Sequence, residues 1–141
     1  MSHSIAPTIQ LASGAKMPVL GLGTWQLTGG QAVGGVQHAL DLGYRLINTA
    51  VDYENQGQIG EALRDNPVGR DDVFLVSKVE EDEDTYAATG ERLEQLGVER
   101  LDLCLIHRPR EVFDFELSET EMEALGQLNE HYASLAGLQY I

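Results

Sequence analysis

Apolar positions along the chain fall alternately into short runs and helical stripes. Thr8–Leu11 and Lys16–Val19, on either side of Ser13-Gly14, read as two short strands joined by a turn. Val19–Leu22 is a short apolar strand that ends at Gly23. Beyond the Gly29-Gly30 break, Ala32, Val33, Val36, Ala39 and Leu40 share one helical face, and Gly43 closes the helix. Arg45–Asn48 is the next strand. The plan then repeats: Ile59, Ala62 and Leu63 lie on a helix, Asn66-Pro67 breaks it, and the strand Val73–Ser77 leads to Lys78. A further helix carries Leu93 and Leu96 before Gly97, and the strand Leu101–Ile106 ends at His107. Short apolar strands alternating with helices of about ten residues predict βαβ units and a parallel sheet, here of four strands behind an N-terminal β-hairpin. After this, Val112–Leu117 leads into Ser118-Glu119-Thr120-Glu121, which has the pattern of a capping box. Met122, Leu125 and Leu128 follow at helical spacing and predict a C-terminal helix.

Composition narrows the class. With 141 residues, 43% of them hydrophobic, and 15 Gly against 4 Pro, the chain reads as one compact domain, 1–141, made of a βα part (7–109) and a helical segment (112–141). No run approaches the roughly 18 apolar residues of a membrane span, and Met1–Ser4 lacks the basic and apolar regions of a secretory leader, so a cytoplasmic protein with no membrane partner is expected. The lone Cys104 sits in an apolar run, has no partner for an internal disulfide, and is expected to pack. Against 23 acidic residues stand 9 basic ones, of which only Lys16 and Lys78 are lysines, giving a formal net charge of −14. Phosphates would be repelled, which excludes nucleic acid as a partner. A surface this acidic suits concentrated salt, where the Debye length shrinks to about 3 Å at 1 M.

In parallel α/β folds, functional side chains gather at the C-terminal ends of the strands. Three of the strands here end on candidates. Asn48 closes one, with Tyr53 in the loop beyond it, while Lys78 and His107 close the next two. Taken singly, such residues are usually surface or packing groups. At one mouth, however, a tyrosine beside an ammonium becomes a better proton donor, and a histidine can orient a carbonyl oxygen. The acidic run Glu80–Asp84 lacks the spaced ligands and turn glycine of a calcium loop and reads as a solvated loop. His3, His38 and His131 have no metal-ligand spacing, and no metal is expected. Gly21-Leu22-Gly23 lacks the third glycine of a dinucleotide fingerprint of the doubly wound kind and reads as a strand-to-loop turn.

Several separated motifs occur in order: Gly21–Gln26, Gly43–Ala50, Tyr53-Glu54-Asn55 with Gly60, Val76-Ser77-Lys78 and Asp102–His107. Together they resemble the N-terminal half of the aldo-keto reductases over residues 7 to 109. The resemblance implies part of a (β/α)₈ TIM barrel and NADPH-dependent reduction of a small aldehyde or ketone. It further implies Tyr53 as proton donor, Lys78 as the cation that tunes it, His107 as the orienting group, and Gly23, Thr24, Trp25 and Asn48 beside the nicotinamide. The family's catalytic Asp position holds Asn48 here. An amide can hydrogen-bond Lys78 but supplies no balancing charge, so the site carries one positive unit more and altered or weakened catalysis is expected. Glu80 and Arg108 stand where relatives often carry aromatics, so substrate preference is not inherited.

After Pro109 the resemblance jumps to the last helix region of the same family, at Val112–Ser118 with Met122, Leu125, Leu128 and Asn129. A complete barrel takes about 250 residues, so strands five to eight have no counterpart, and the resemblance implies that the family's main cofactor contacts, which lie in that part, have none either. A half-barrel leaves strand edges unpaired, and two copies closing an eight-stranded barrel is the expected homodimer. Two functional readings follow from the sequence: a carbonyl reductase, or an inactive remnant that acts as an interaction module or has no role.

Overall fold

A computed structural model describes residues 7–108 and 118–120. The chain divides into two compact units, Met1–Pro109 and Arg110–Ile141. The first opens with an antiparallel hairpin of β1 (Thr8–Gln10) and β2 (Lys16–Pro18), in which Ile9 pairs with Met17. Four parallel strands follow in sequential order: β3 (Leu22–Gly23), β4 (Leu46–Asn48), β5 (Phe74–Val79) and β6 (Leu103–Ile106). The helices α1 (Gly29–Asp41), α2 (Gln56–Asp65) and α3 (Thr85–Leu96) connect them. In the second unit Ser118 directly precedes helical Glu119 and Thr120, and the rest of the C-terminal helix expected from sequence lies outside the described residues. No helix among the described residues is long and apolar enough to cross a membrane.

The predicted helical stripes are the buried ones. Ala32, Val36 and Leu40 of α1, Ile59, Ala62 and Leu63 of α2 and Leu96 of α3 pack with Ile47 and Leu75 into one core. Ile47 and Leu75 are register partners, and side chains alternate along a strand, so this pairing defines the helix-covered face of the sheet. The opposite face, by the same register, carries Gly23, Asn48, Val76, Lys78 and Leu105. Gly60 allows α2 to touch α3: a Cβ there would lie 2.1 Å from the Leu96 carbonyl oxygen. Gly97, at φ +63°, ends α3 in the left-handed conformation that costs glycine little.

Three expectations need correction. Val19–Leu22 is not a strand as a whole: the Val19 amide is taken by the Pro7 carbonyl of the hairpin, Val19 and Leu20 are each 53% exposed, and parallel pairing begins only at Leu22. The last strand begins at Leu103 rather than Leu101. Asp102 serves instead as a clamp, its Oδ2 accepting from the Leu75 amide at 2.9 Å and from Arg70 Nη2 at 2.7 Å. Cys104 is exposed rather than packed, because among the described residues β6 has a neighbour on one side alone, and the Thr89 hydroxyl lies 3.8 Å from the thiol.

Candidate active site

The C-terminal ends of β4, β5 and β6 bring the sequence candidates together. Asn48 is the last residue of β4 and Lys78 the next to last of β5, on the same sheet face. A single 3-10 turn, Val51–Tyr53, follows β4 and returns Tyr53 over that face. The chain then reverses through Glu54 at φ 53° into α2. Lys78 Nζ donates to Asn48 Oδ1 (2.6 Å), to the Thr49 carbonyl (2.9 Å) and to the Tyr53 hydroxyl oxygen (3.1 Å), which uses all three ammonium hydrogens. The ammonium also lies 4.8 Å from the centroid of the Tyr53 ring. Because the phenol oxygen accepts from Lys78, its own hydrogen is left to point elsewhere.

His107 follows β6 directly and meets the Tyr53 ring edge-on, with centroids 5.6 Å apart at 75°. Its Nδ1 is 2.8 Å from Glu80 Oε1 and 3.9 Å from Asp52 Oδ2. Arg108 pairs with both carboxylates, in a close contact with Asp52 and at 3.4 Å from Glu80, and these two charges, Glu80 first, hold its guanidinium above the usual arginine range. Asp52, Glu80 and His107 present ligand-type atoms within 4.8 Å of one another, and the Arg108 guanidinium supplies the positive charge there. Trp25, Asp52, Tyr53, His107 and Arg108 line an open cleft of about 340 Å³. A larger cleft of about 560 Å³ lies at the opposite, N-terminal ends of the strands, between the hairpin and Arg45, Phe74 and Asp102, away from the Tyr–Lys–His group.

The remaining sequence candidates divide by role. Gly23 pairs with Asn48 in the ladder, and Trp25 is 67% exposed on the rim. Thr24 is fully buried, and both its amide and its hydroxyl donate to the Asn48 carbonyl at 3.0 and 3.1 Å. Its hydrogen is therefore spent on holding the β3 and β4 loops together.

Residues to which the sequence assigned no individual role hold this arrangement in place. Buried Asn55 donates to the Thr24 and Leu27 carbonyls at 2.7 and 2.9 Å and accepts from the Thr49 hydroxyl at 3.0 Å. Gln56 links Ser77 of β5 to Gln95 of α3. The run Glu80–Asp84 is more than the solvated loop expected from its charge. Glu80 engages His107 and Arg108, and Asp84 caps α3 through the Ala87 amide. Glu83 binds Arg92, a guanidinium 1% exposed, through both carboxylate oxygens at 2.6 and 2.7 Å. That hydrogen bond, with one from the Glu80 amide, lowers the Glu83 pKa. The signal available in sequence was the arginine on the inner face of α3, which needs a counter-charge.

Comparison with known proteins reaches a consistent result. A model described as the aldo/keto reductase family matches residues 19–139. Aldo-keto reductase family 1 member A1 of Cricetulus griseus is 40% identical over 114 residues, covering 74% of this chain and 35% of that protein. Glycerol 2-dehydrogenase (NADP(+)) of Saccharomyces cerevisiae is 37% identical over 109 residues, covering 76% and 35%. The solved structure of an aldo/keto reductase from Brucella melitensis superposes with a TM-score of 0.67 at 32% identity, covering 90% of this chain and 50% of that one. This chain thus spans about a third of these curated relatives and about half of that solved structure.

Proposed function

The chain belongs to the aldo/keto reductase family, and from that premise we propose that its Tyr53, Lys78 and His107 form the acid–base group of a carbonyl reductase acting on a small aldehyde or ketone. The observation that carries this reading is the 3.1 Å hydrogen bond from Lys78 Nζ to the Tyr53 hydroxyl. A phenol that accepts from an ammonium turns its own proton toward the cleft, where a carbonyl oxygen can take it, and the phenolate left behind faces a positive charge. Asn48 takes one ammonium hydrogen without neutralising it. The charge of Lys78 is therefore directed at the phenolate, with no carboxylate among the described residues at hydrogen-bond distance from it.

NADPH is the reductant this reading implies, by analogy with the NADP(+) named for the yeast relative; when bound, it would supply hydride to the carbonyl carbon. The described residues fit only one end of it. Trp25 and the Tyr53 ring offer flat surfaces for a nicotinamide-sized ring, but the phosphates need cations or free amides. At this end of the sheet, Lys78, Arg92 and Arg108 are each engaged by the protein's own groups, and Asp52 and Glu80 add negative charge to the rim. A second copy closing an eight-stranded barrel would complete the sheet but would bring the same residues. The phosphates therefore need partners outside the described set.

This mismatch favours a second reading, a family member that folds without turning over and serves as an interaction module. Fluorescence titration with NADPH separates the two. Reductase function expects micromolar binding and aldehyde-dependent NADPH consumption that falls by about 10²-fold or more in Tyr53→Phe, the usual scale of general-acid catalysis. No binding at millimolar NADPH would overturn the reductase reading in favour of the second.

A further inference from the structure

The contact between His107 and Glu80 decides which imidazole nitrogen can serve the cleft. Nδ1 lies 2.8 Å from Glu80 Oε1, and an ionised carboxylate only accepts, so Nδ1 must carry a hydrogen. A second carboxylate acts in the same direction. Asp52, from the turn after β4, lies 3.9 Å from the same nitrogen, and the Tyr53 ring packs edge-on. Arg108 bridges Asp52 and Glu80 and steadies the pair of acceptors. A neutral imidazole has one N–H, and Glu80 takes it. What remains for the cleft is Nε2 as a bare acceptor.

We infer that Glu80 is a positioning residue that fixes neutral His107 as the Nδ1–H tautomer, so that the site offers a substrate oxygen an acceptor, suited to a hydroxyl group, unless the ring is protonated. Only the imidazolium has a second N–H to give a carbonyl oxygen. The ligand class thus depends on protonation: carbonyl compounds match the protonated ring and alcohols the neutral one. This inference deepens the reductase reading and rests on it for its meaning, but the tautomer itself exists with or without turnover.

The test is therefore made without substrate or cofactor. The full chain, with ¹⁵N-labelled histidine, is followed by long-range ¹H–¹⁵N NMR across the titration of His107, whose signals among the four histidines are assigned by their loss in His107→Gln. In the neutral form Nδ1 is expected to read as N–H and Nε2 as unprotonated. Glu80→Ala should shift the tautomer ratio toward Nε2–H by at least about tenfold, the scale of a charge-assisted hydrogen bond. Glu80→Gln, which keeps an acceptor, should retain Nδ1–H. A neutral wild-type ring protonated on Nε2, or a Glu80→Ala spectrum with the wild-type ratio, overturns the inference. Absence of NADPH binding would leave these spectra unchanged, so failure of the reductase reading is recognised separately.

Discussion

Asn55 offers the most direct test of how the site is built, because one side chain ties together three backbone segments. Its amide group donates to the Thr24 and Leu27 carbonyls, and its oxygen accepts from the Thr49 hydroxyl, all at 3.0 Å or less. Thr24, Thr49 and Asn55 are each fully buried. Asn55→Ala leaves the Thr49 hydroxyl unpaired where water does not reach, at a cost of about 1–3 kcal/mol, and takes one of two hydrogen bonds from the Thr24 carbonyl, which keeps the Leu27 amide. The Leu27 carbonyl, less deeply placed, adds less. A loss of roughly 2 kcal/mol follows, which in a unit of this size lowers the melting temperature by on the order of 10 °C. Asn55→Asp separates charge from geometry. It keeps the acceptor for Thr49 but turns an oxygen toward two carbonyl oxygens, an arrangement that favours the protonated carboxyl. The folded-state pKa of the new group is then raised above its unfolded value, so the variant is less destabilised below the ordinary carboxylate range and loses stability as pH rises through the raised pKa. Circular dichroism melts at pH 4 and pH 7, each against wild type, read both effects. A loss below about 1 kcal/mol in Asn55→Ala, or a larger deficit for Asn55→Asp at pH 4 than at pH 7, would refute the reasoning.

Two further outcomes are expected. Gly60→Ala places a methyl 2.1 Å from the Leu96 carbonyl oxygen and must push α2 from α3, costing about 2–3 kcal/mol, whereas Gly90→Ala, with nothing within 4 Å, should stabilise by about 0.5–1 kcal/mol; urea melts giving both variants the same sign would contradict the α2–α3 contact. Glu83 has its pKa lowered by Arg92, so its charge contributes stability fully above the unfolded value of about 4.3 and loses it as pH falls through the lowered pKa. The gap in melting midpoint between wild type and Glu83→Gln should be open at pH 7 and close in acid, and a gap independent of pH would show that the charge of Glu83 does not matter.

Periodicity located the helices because their stripes and the core are one physical fact: Ala32, Val36, Leu40, Ile59 and Leu96 are buried for the same reason that they recur every third or fourth residue. It located the candidate site because parallel strands deliver their C-terminal residues to one end, where Asn48, Tyr53 and Lys78 do meet. Sequence pattern could not show what a polar residue bonds to. Asn55 and Gln56 are buried for reasons that appear only once the β3–α1 and β4–α2 loops, β5 and α3 have been brought together. Charge patterning likewise treated Glu80–Asp84 as one solvated run, since like charges in sequence carry no record of Arg92, His107 and Arg108 approaching from other elements. Cys104 was misplaced because an apolar run reads the same in a central strand as in an end strand.

Within the described sheet, β3 and β6 each have a single neighbour, so each presents one side of backbone amides and carbonyls to whatever comes next. Such an edge accepts another strand without regard to its sequence. Here it belongs to a molecule with a formal charge of −14, so two copies must approach through their own mutual repulsion. The reach of that repulsion is set by the medium, from about 30 Å at 0.01 M salt to about 3 Å at 1 M. Backbone attraction acts only at contact and is not screened away. Ionic strength would therefore act as a throttle on any encounter between copies: in dilute buffer the repulsion reaches well beyond the edge, and in concentrated salt it shrinks to contact range.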